Sequence, residues 1–147
     1  MLKHMLILFS AIAFASPAFA AAADAIDVWK SPTCSCCGKW VKYLEANGFT
    51  VTSHNTNASA LDRIKRQAGI GELFASCHTA KIDGYVIEGH VPAADIKRLV
   101  AERPDALGLT VPGMPASSPG MAQGDETEPY DILLIKKEGT AEIFTRH

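Results

Sequence analysis

The chain has 147 residues, with 14 Lys and Arg against 16 Asp and Glu and a formal net charge of −2. No basic block occurs, so neither nucleic acid nor an anionic membrane surface is suggested as a partner. With 48% hydrophobic residues and the length of one domain, it can bury a core without disulfides as staples.

The first residues read as an export signal. Lys3 and His4 open it, MLILFSAIAFA follows as an apolar stretch too short to span a bilayer comfortably, and Ala18, Phe19 and Ala20 give a small, any, small cleavage pattern. The division is therefore a signal peptide over residues 1–20 and one domain over residues 21–147. A bacterial signal of this kind sends the mature chain to the periplasm, where disulfides persist and loose copper is a hazard. After cleavage no membrane contact is expected.

Ile26 to Lys30 alternates apolar and polar residues and predicts a first strand. From Ser35 to Asn47, Trp40, Val41 and Leu44 fall on one helical face, and Gly48 is placed to end that helix. Phe49 to His54 returns as a second strand, giving a β, α, β opening with a parallel pair and a right-handed crossover. Ser59 with Asp62 resembles a capping pair for a second helix bearing Leu61, Ile64 and Ala68, closed by Gly69. Thr79 to Ile82 and Tyr85 to Glu88 flank Asp83 and Gly84, the dipeptide favoured in a type I′ hairpin turn. Pro92, Ile96, Leu99 and Val100 mark a third helix that should stop before Pro104.

From Pro104 to Pro129 the chain holds five of its eight prolines and four of its eleven glycines, without sustained periodicity. It is expected to be one long loop, and such length in a compact domain points to disorder or a functional lid. Tyr130 to Lys136 and Thr140 to Thr145, joined by Glu138 and Gly139, predict a closing hairpin.

Three of the four cysteines, Cys34, Cys36 and Cys37, lie within four residues at the start of the first helix. A strand, a turn bearing Cys, two residues and Cys, and then a helix is the thioredoxin arrangement. Unpaired N–H groups and the positive dipole end at a helix start favour thiolate over thiol. Residues three apart on a helix have α-carbons about 5 to 6 Å apart, within disulfide range, so Cys34 and Cys37 can pair reversibly. One reading is thus a thiol-disulfide oxidoreductase in which Cys34 attacks and Cys37 resolves. Cys36 favours another, because a third thiolate adds charge that invites a soft cation. Copper(I) binds thiolates strongly and is readily bridged by sulfur. Zinc prefers tetrahedral closure, which adjacent Cys36 and Cys37 would find hard to supply to one ion. A third reading, two disulfides as staples, needs Cys77 to bridge one of the three and leaves a very short loop for the other pair.

With PTCSCC at a helix start, ASCHTA at Ala75 to Ala80, DGYVIEGHVP at Asp83 to Pro92, and VPGMP followed by SPGM, the chain resembles the CopG-like copper-resistance family of periplasmic proteins. The DNA-binding ribbon proteins of the same name are a different group. The resemblance runs from Asp27 to the final hairpin. It implies an α/β, thioredoxin-like domain with a mixed sheet flanked by helices and a long Pro/Gly/Met loop before a C-terminal hairpin. It also implies copper bound by bridging thiolates in a multinuclear site on Cys34, Cys36 and Cys37, with Cys77 as fourth thiolate. Interconversion of copper(I) and copper(II) and exchange with other periplasmic copper-handling proteins are further implications. Ser35 stands where glycine is frequent in the family, which bears on the geometry of the turn.

Other candidate ligands surround that set. His78 adjoins Cys77 at the start of a strand, where neighbours point to opposite faces, so Cys77 is favoured as the direct ligand and His78 behind it. His90, in EGHVP, reads more readily as a turn or capping residue than as a ligand. Met114 and Met121, on the proline-stiffened loop, offer thioether sulfur suited to copper(I), or else pack the loop onto the core. Trp40 is read as core, His54 as a weaker candidate, and the terminal His147 as free.

Overall fold

The computed structural model describes residues 24–121 and 128–147; the expected signal peptide lies outside them, as do residues 21–23 of the expected domain. Among the described residues seven strands form one mixed sheet in the order β2-β1-β3-β4-β5-β6-β7. β1 (Ala25–Lys30) pairs in parallel with β2 (Thr50–Asn55), and α1 (Ser35–Ala46) makes the crossover between them. After α2 (Ala58–Gln67) and a single 3-10 turn at Glu72–Phe74, β3 (Thr79–Ile82) runs antiparallel to β1. β4 (Tyr85–Glu88) folds back on β3 through Asp83 and Gly84, which both take positive φ as the expected turn requires. α3 (Ala93–Glu102) then leads to β5 (Gly108–Thr110), parallel to β4. β6 (Asp131–Ile135) and β7 (Ala141–Arg146) complete the sheet as an antiparallel hairpin with a register shift between Ile132 and Leu133.

The mixed sheet flanked by helices agrees with the expected α/β class. Period-2 alternation on the strands sends apolar side chains to both faces, and the helices cover both. On one face Ile26, Val28, Ile87 and Leu109 pack with Trp40, Val41 and Leu44 of α1 and with Ile96 and Leu99 of α3. On the other, Val86 and Ile135 pack with Ala68 and Ile70 at the end of α2. β4 is consequently buried along its whole length. Among the described residues no helix is long and apolar enough to cross a membrane.

Three expectations are corrected. The stretch from Pro104 to Pro129 is not one continuous loop, since its residues 108–110 form β5 between β4 and β6. Three buried residues are too few to show periodicity, and only pairing on both sides defines them as a strand. The cap of α2 is Asn57 rather than Ser59: Asn57 Oδ1 accepts from the Ala60 N–H at 2.9 Å, and the Ser59 hydroxyl donates to the same oxygen. His147 is not free, because its Nε2 lies 2.8 Å from Asp95 Oδ2 and its ring stacks on Tyr130.

Candidate metal and thiol site

The site forms where β1 and β4 end and β3 begins. β1 stops at Lys30, the turn from Ser31 to Thr33 follows, and Cys34 becomes the N-cap of α1. Its extended backbone lets Sγ accept from the Cys37 N–H at 3.3 Å, one of the donors a helix start leaves unpaired. Cys34 and Cys37 are joined as a disulfide with α-carbons 5.3 Å apart, the separation expected across one helical turn. Burial separates the neighbours: Cys37 is fully buried, whereas Cys36 is half-buried with a free thiol 3.4 Å from Cys34 Sγ.

The second half of the site comes from the β3–β4 ladder. Thr79 pairs with Glu88 at its last register, and the Gly89 N–H then donates to the His78 carbonyl at 3.0 Å. Hence the Cys77–His78 and Gly89–His90 segments lie side by side beyond the strands. Cys77 Sγ, also free, sits 3.2 Å from His78 Nδ1 and 3.0 Å from His90 Nε2. Opposite-face reasoning for Cys77 and His78 does not apply here, because both precede β3. His90 is likewise no mere turn residue, since it is buried with one nitrogen on the thiol.

One hydrogen bond settles the His90 tautomer. Its Nδ1 is 2.7 Å from the Pro119 carbonyl, which only accepts, so Nδ1 carries the proton and Nε2 turns its lone pair toward Cys77. His78 lies under Trp40 with ring centres 4.3 Å apart, edge-on to His90, and among the described residues its Nε2 has no hydrogen-bond partner. Trp40 is core, as expected, yet it also forms a wall of this site; its indole N–H donates to the Val91 carbonyl at 2.9 Å.

Electrostatics keeps the inner groups neutral. Burial first, and the neighbouring Cys36 second, push the Cys77 thiol up to about 11. Burial holds His78 well below the ordinary imidazole value, with His90 adding to the effect, and burial lowers His90 as well. Both imidazoles therefore present lone pairs near neutral pH, the form in which histidine ligates metals.

The Pro/Gly/Met loop presses on this assembly. At Gly120 φ is +85°, and a Cβ would lie 2.8 Å from Trp40 N and 3.0 Å from Cys36 O. Met121 follows it, half-buried, while Met114 is 54% exposed beside Gly113, whose carbonyl accepts from Ser76 Oγ at 2.6 Å. His54 is elsewhere, paired with Asp27 at 2.7 Å and stacked on Trp29.

Two donor groups result: Cys34, Cys36, Cys37 and Cys77 form one, Cys77, His78 and His90 the other, and in each the ligand atoms lie within 4.8 Å of one another. Cys77 belongs to both. The fold and donors define an α/β protein with a sulfur-rich, imidazole-backed site capable of holding a metal ion once the disulfide is reduced. A protein-family profile described as "Protein of unknown function, DUF411" matches residues 74–121. Two solved structures of copper resistance protein CopG are similar to this chain. Form 1 is 44% identical, covering 86% of this chain and 98% of that one with a TM-score of 0.79. Form 2 is also 44% identical, covering 84% and 98% with a TM-score of 0.78. No curated protein matches the sequence. At that identity and coverage, the chain belongs to the CopG copper-resistance family.

Proposed function

We propose that this chain is an exported, periplasmic copper-handling protein of copper resistance, which in its reduced state takes copper(I) as cargo on Cys34, Cys36, Cys37 and Cys77. The observation that carries this reading is the convergence of all four sulfurs within 4.8 Å although Cys77 arrives from a distant segment. A thiol exchange site needs two sulfurs. Four that close suit soft ions shared by bridging thiolates. His90 and His78 supply nitrogen donors on the inner side, so copper held there meets both sulfur and imidazole, a mixture that supports copper(I) and copper(II). Each interconversion passes one electron per copper to or from an external copper or electron partner. Met114 and Met121 are the thioether donors of the covering loop. Zinc fits the donors less well, because adjacent Cys36 and Cys37 cannot easily close one tetrahedron.

The Cys34–Cys37 disulfide favours a second reading, a thiol-disulfide oxidoreductase. One experiment separates the two. The protein is reduced, loaded anaerobically with copper(I), and its copper per chain measured with each cysteine changed in turn to serine. Several coppers per chain, reduced by Cys36→Ser, are expected. No more than one copper, unchanged by that substitution, would sink the cluster. Disulfide reductase turnover that requires Cys34 and Cys37 and survives Cys36→Ser would establish the second reading.

A further inference from the structure

Behind Cys77 lies a buried ionic cluster that no metal ligand belongs to. Glu88 is fully buried at the end of β4 and pairs with Lys65 of α2, itself only 7% exposed. Glu88 Oε1 also accepts from the backbone N–H of Ser76 at 2.6 Å, and Oε2 accepts from the Thr79 hydroxyl at 2.7 Å. Thr79 Oγ1 in turn accepts from Lys65 Nζ at 3.0 Å. Burying two charges costs more than an apolar pair of the same shape, so stability alone is a poor reason for such a cluster. Its outward connection is the Ser76 N–H, one residue before Cys77. Ser76 is fixed from a second side by its hydroxyl on the Gly113 carbonyl. A third constraint is steric: at Gly89 a Cβ would meet Ser76 Oγ at 2.5 Å and Val111 O at 2.8 Å, so only glycine leaves room for this serine.

We infer that Glu88, braced by Lys65 and Thr79, is a positioning residue that clamps the Ala75–Ser76 peptide immediately before Cys77 and thereby sets Cys77 Sγ between the thiol turn and His90. Cys77 precedes β3 and lacks a place in the strand ladder, so the backbone leading into it is held at the Ser76 N–H by the Glu88 carboxylate instead of by strand pairing. The same serine ties the Gly113–Met114 loop to the clamp, so the covering loop and Cys77 share one anchor. Partners of this kind behind a metal ligand typically govern about 10- to 100-fold in metal affinity.

The inference rests on Cys77 being a copper ligand, and the test separates that premise from the clamp. Copper(I) affinity is measured on the full chain by competition with a colorimetric cuprous chelator for the wild type, Glu88→Gln, Thr79→Val, Cys77→Ser and Ile132→Val. The last, a core truncation in β6, serves as the stability control. Glu88→Gln, and Thr79→Val should it fail to fold, are expected to lose about tenfold in affinity while Ile132→Val loses none. In a Cys36→Ser background with the disulfide intact, Cys77 is the one free thiol, and N-ethylmaleimide should label it several-fold faster when Glu88 is glutamine. Unchanged affinity and unchanged labelling in the Glu88 and Thr79 variants overturn the clamp. If Cys77→Ser binds copper as the wild type does, the copper reading of Cys77 falls and the clamp's proposed role falls with it. A drop for Cys77→Ser with none for the Glu88 and Thr79 variants removes the clamp alone.

Discussion

The two halves of the site are built by different physics. Cys34, Cys36 and Cys37 belong to one helical turn, so local geometry alone brings them together, and two of them close into a disulfide. Cys77, His78 and His90 meet because an antiparallel ladder ends and the segments beyond it are held by the Gly89 to His78 hydrogen bond. The outer half is sulfur and partly accessible; the inner half backs it with buried, neutral imidazoles. Cys77 belongs to both donor groups, so an ion bridging the halves would meet thiolates on the half-buried side and imidazoles on the buried one.

Removing the joint should have the largest effect. Cys77→Ser takes a ligand from both donor groups at once and leaves a weak oxygen donor facing His90. Anaerobic copper(I) loading of the reduced protein is expected to fall to no more than one ion per chain, a greater loss than any other single cysteine replacement causes. An equal loss on Cys34→Ser would show that the outer turn holds the cluster unaided.

Next come the two histidines, whose largest effects should fall on different readouts. His90 Nε2 faces Cys77, and the Pro119 carbonyl fixes its tautomer, so His90→Ala is expected to lower copper affinity about 10- to 100-fold in chelator competition. His78 fills the space under Trp40, so His78→Ala should cost about 3 kcal/mol of folding stability in denaturant unfolding, from the cavity it leaves. If the two alanines exchange these effects, the inner half is organised around His78.

The sequence shows the outer half and the candidacy of Cys77, and leaves the arrangement of the two histidines open, for reasons traceable to individual residues. Cys34 to Cys37 follow an alternating strand and precede a helix with Trp40, Val41 and Leu44 on one face, so the spacing is local and legible. β3 and β4 were equally plain from Asp83 and Gly84 between two β-rich runs. His90 gives no such signal: its placement depends on the Pro119 carbonyl and on Cys77, 29 and 13 residues away. The separation of Cys77 from His78 by strand alternation fails because β3 begins at Thr79, two residues later than that argument needs. Glu88 enters the sequence reading only as the last residue of the fourth strand. A buried Glu in an apolar strand, with a Lys on an otherwise amphipathic helix, was the available clue, but their pairing is tertiary. β5 escaped for the same reason.

A smaller effect should appear on acidification. His78 has its pKa depressed in the folded state, so it is neutral there while its unfolded counterpart takes up a proton below about 6.5. Its contribution is present above that value and is lost as pH falls, by up to about 1.4 kcal/mol per pH unit. Glu88, raised by burial against the pull of Lys65, acts in the opposite sense, so the wild-type curve is a sum. The difference between wild type and His78→Phe in unfolding free energy, measured from pH 7.5 to 5 on the copper-free protein, isolates the imidazole. A flat difference would mean that His78 takes a proton in the folded state, and the inner half would no longer be the neutral one.

The smallest effect is expected at the rim. Met114 is more than half exposed, on a loop fixed by Ser76 to the Gly113 carbonyl, so Met114→Leu removes a thioether with little change in packing. Its folding stability should stay within about 0.5 kcal/mol of wild type. Copper affinity should change by less than about threefold, since one thioether is a weak addition to thiolates already present. Met121→Leu should do more, because Met121 is half-buried directly after the glycine that presses on Cys36 and Trp40. A Met114 loss as large as that of His90→Ala would redraw the comparison, placing a third, mobile donor surface over the thiols and making the loop the route by which copper leaves.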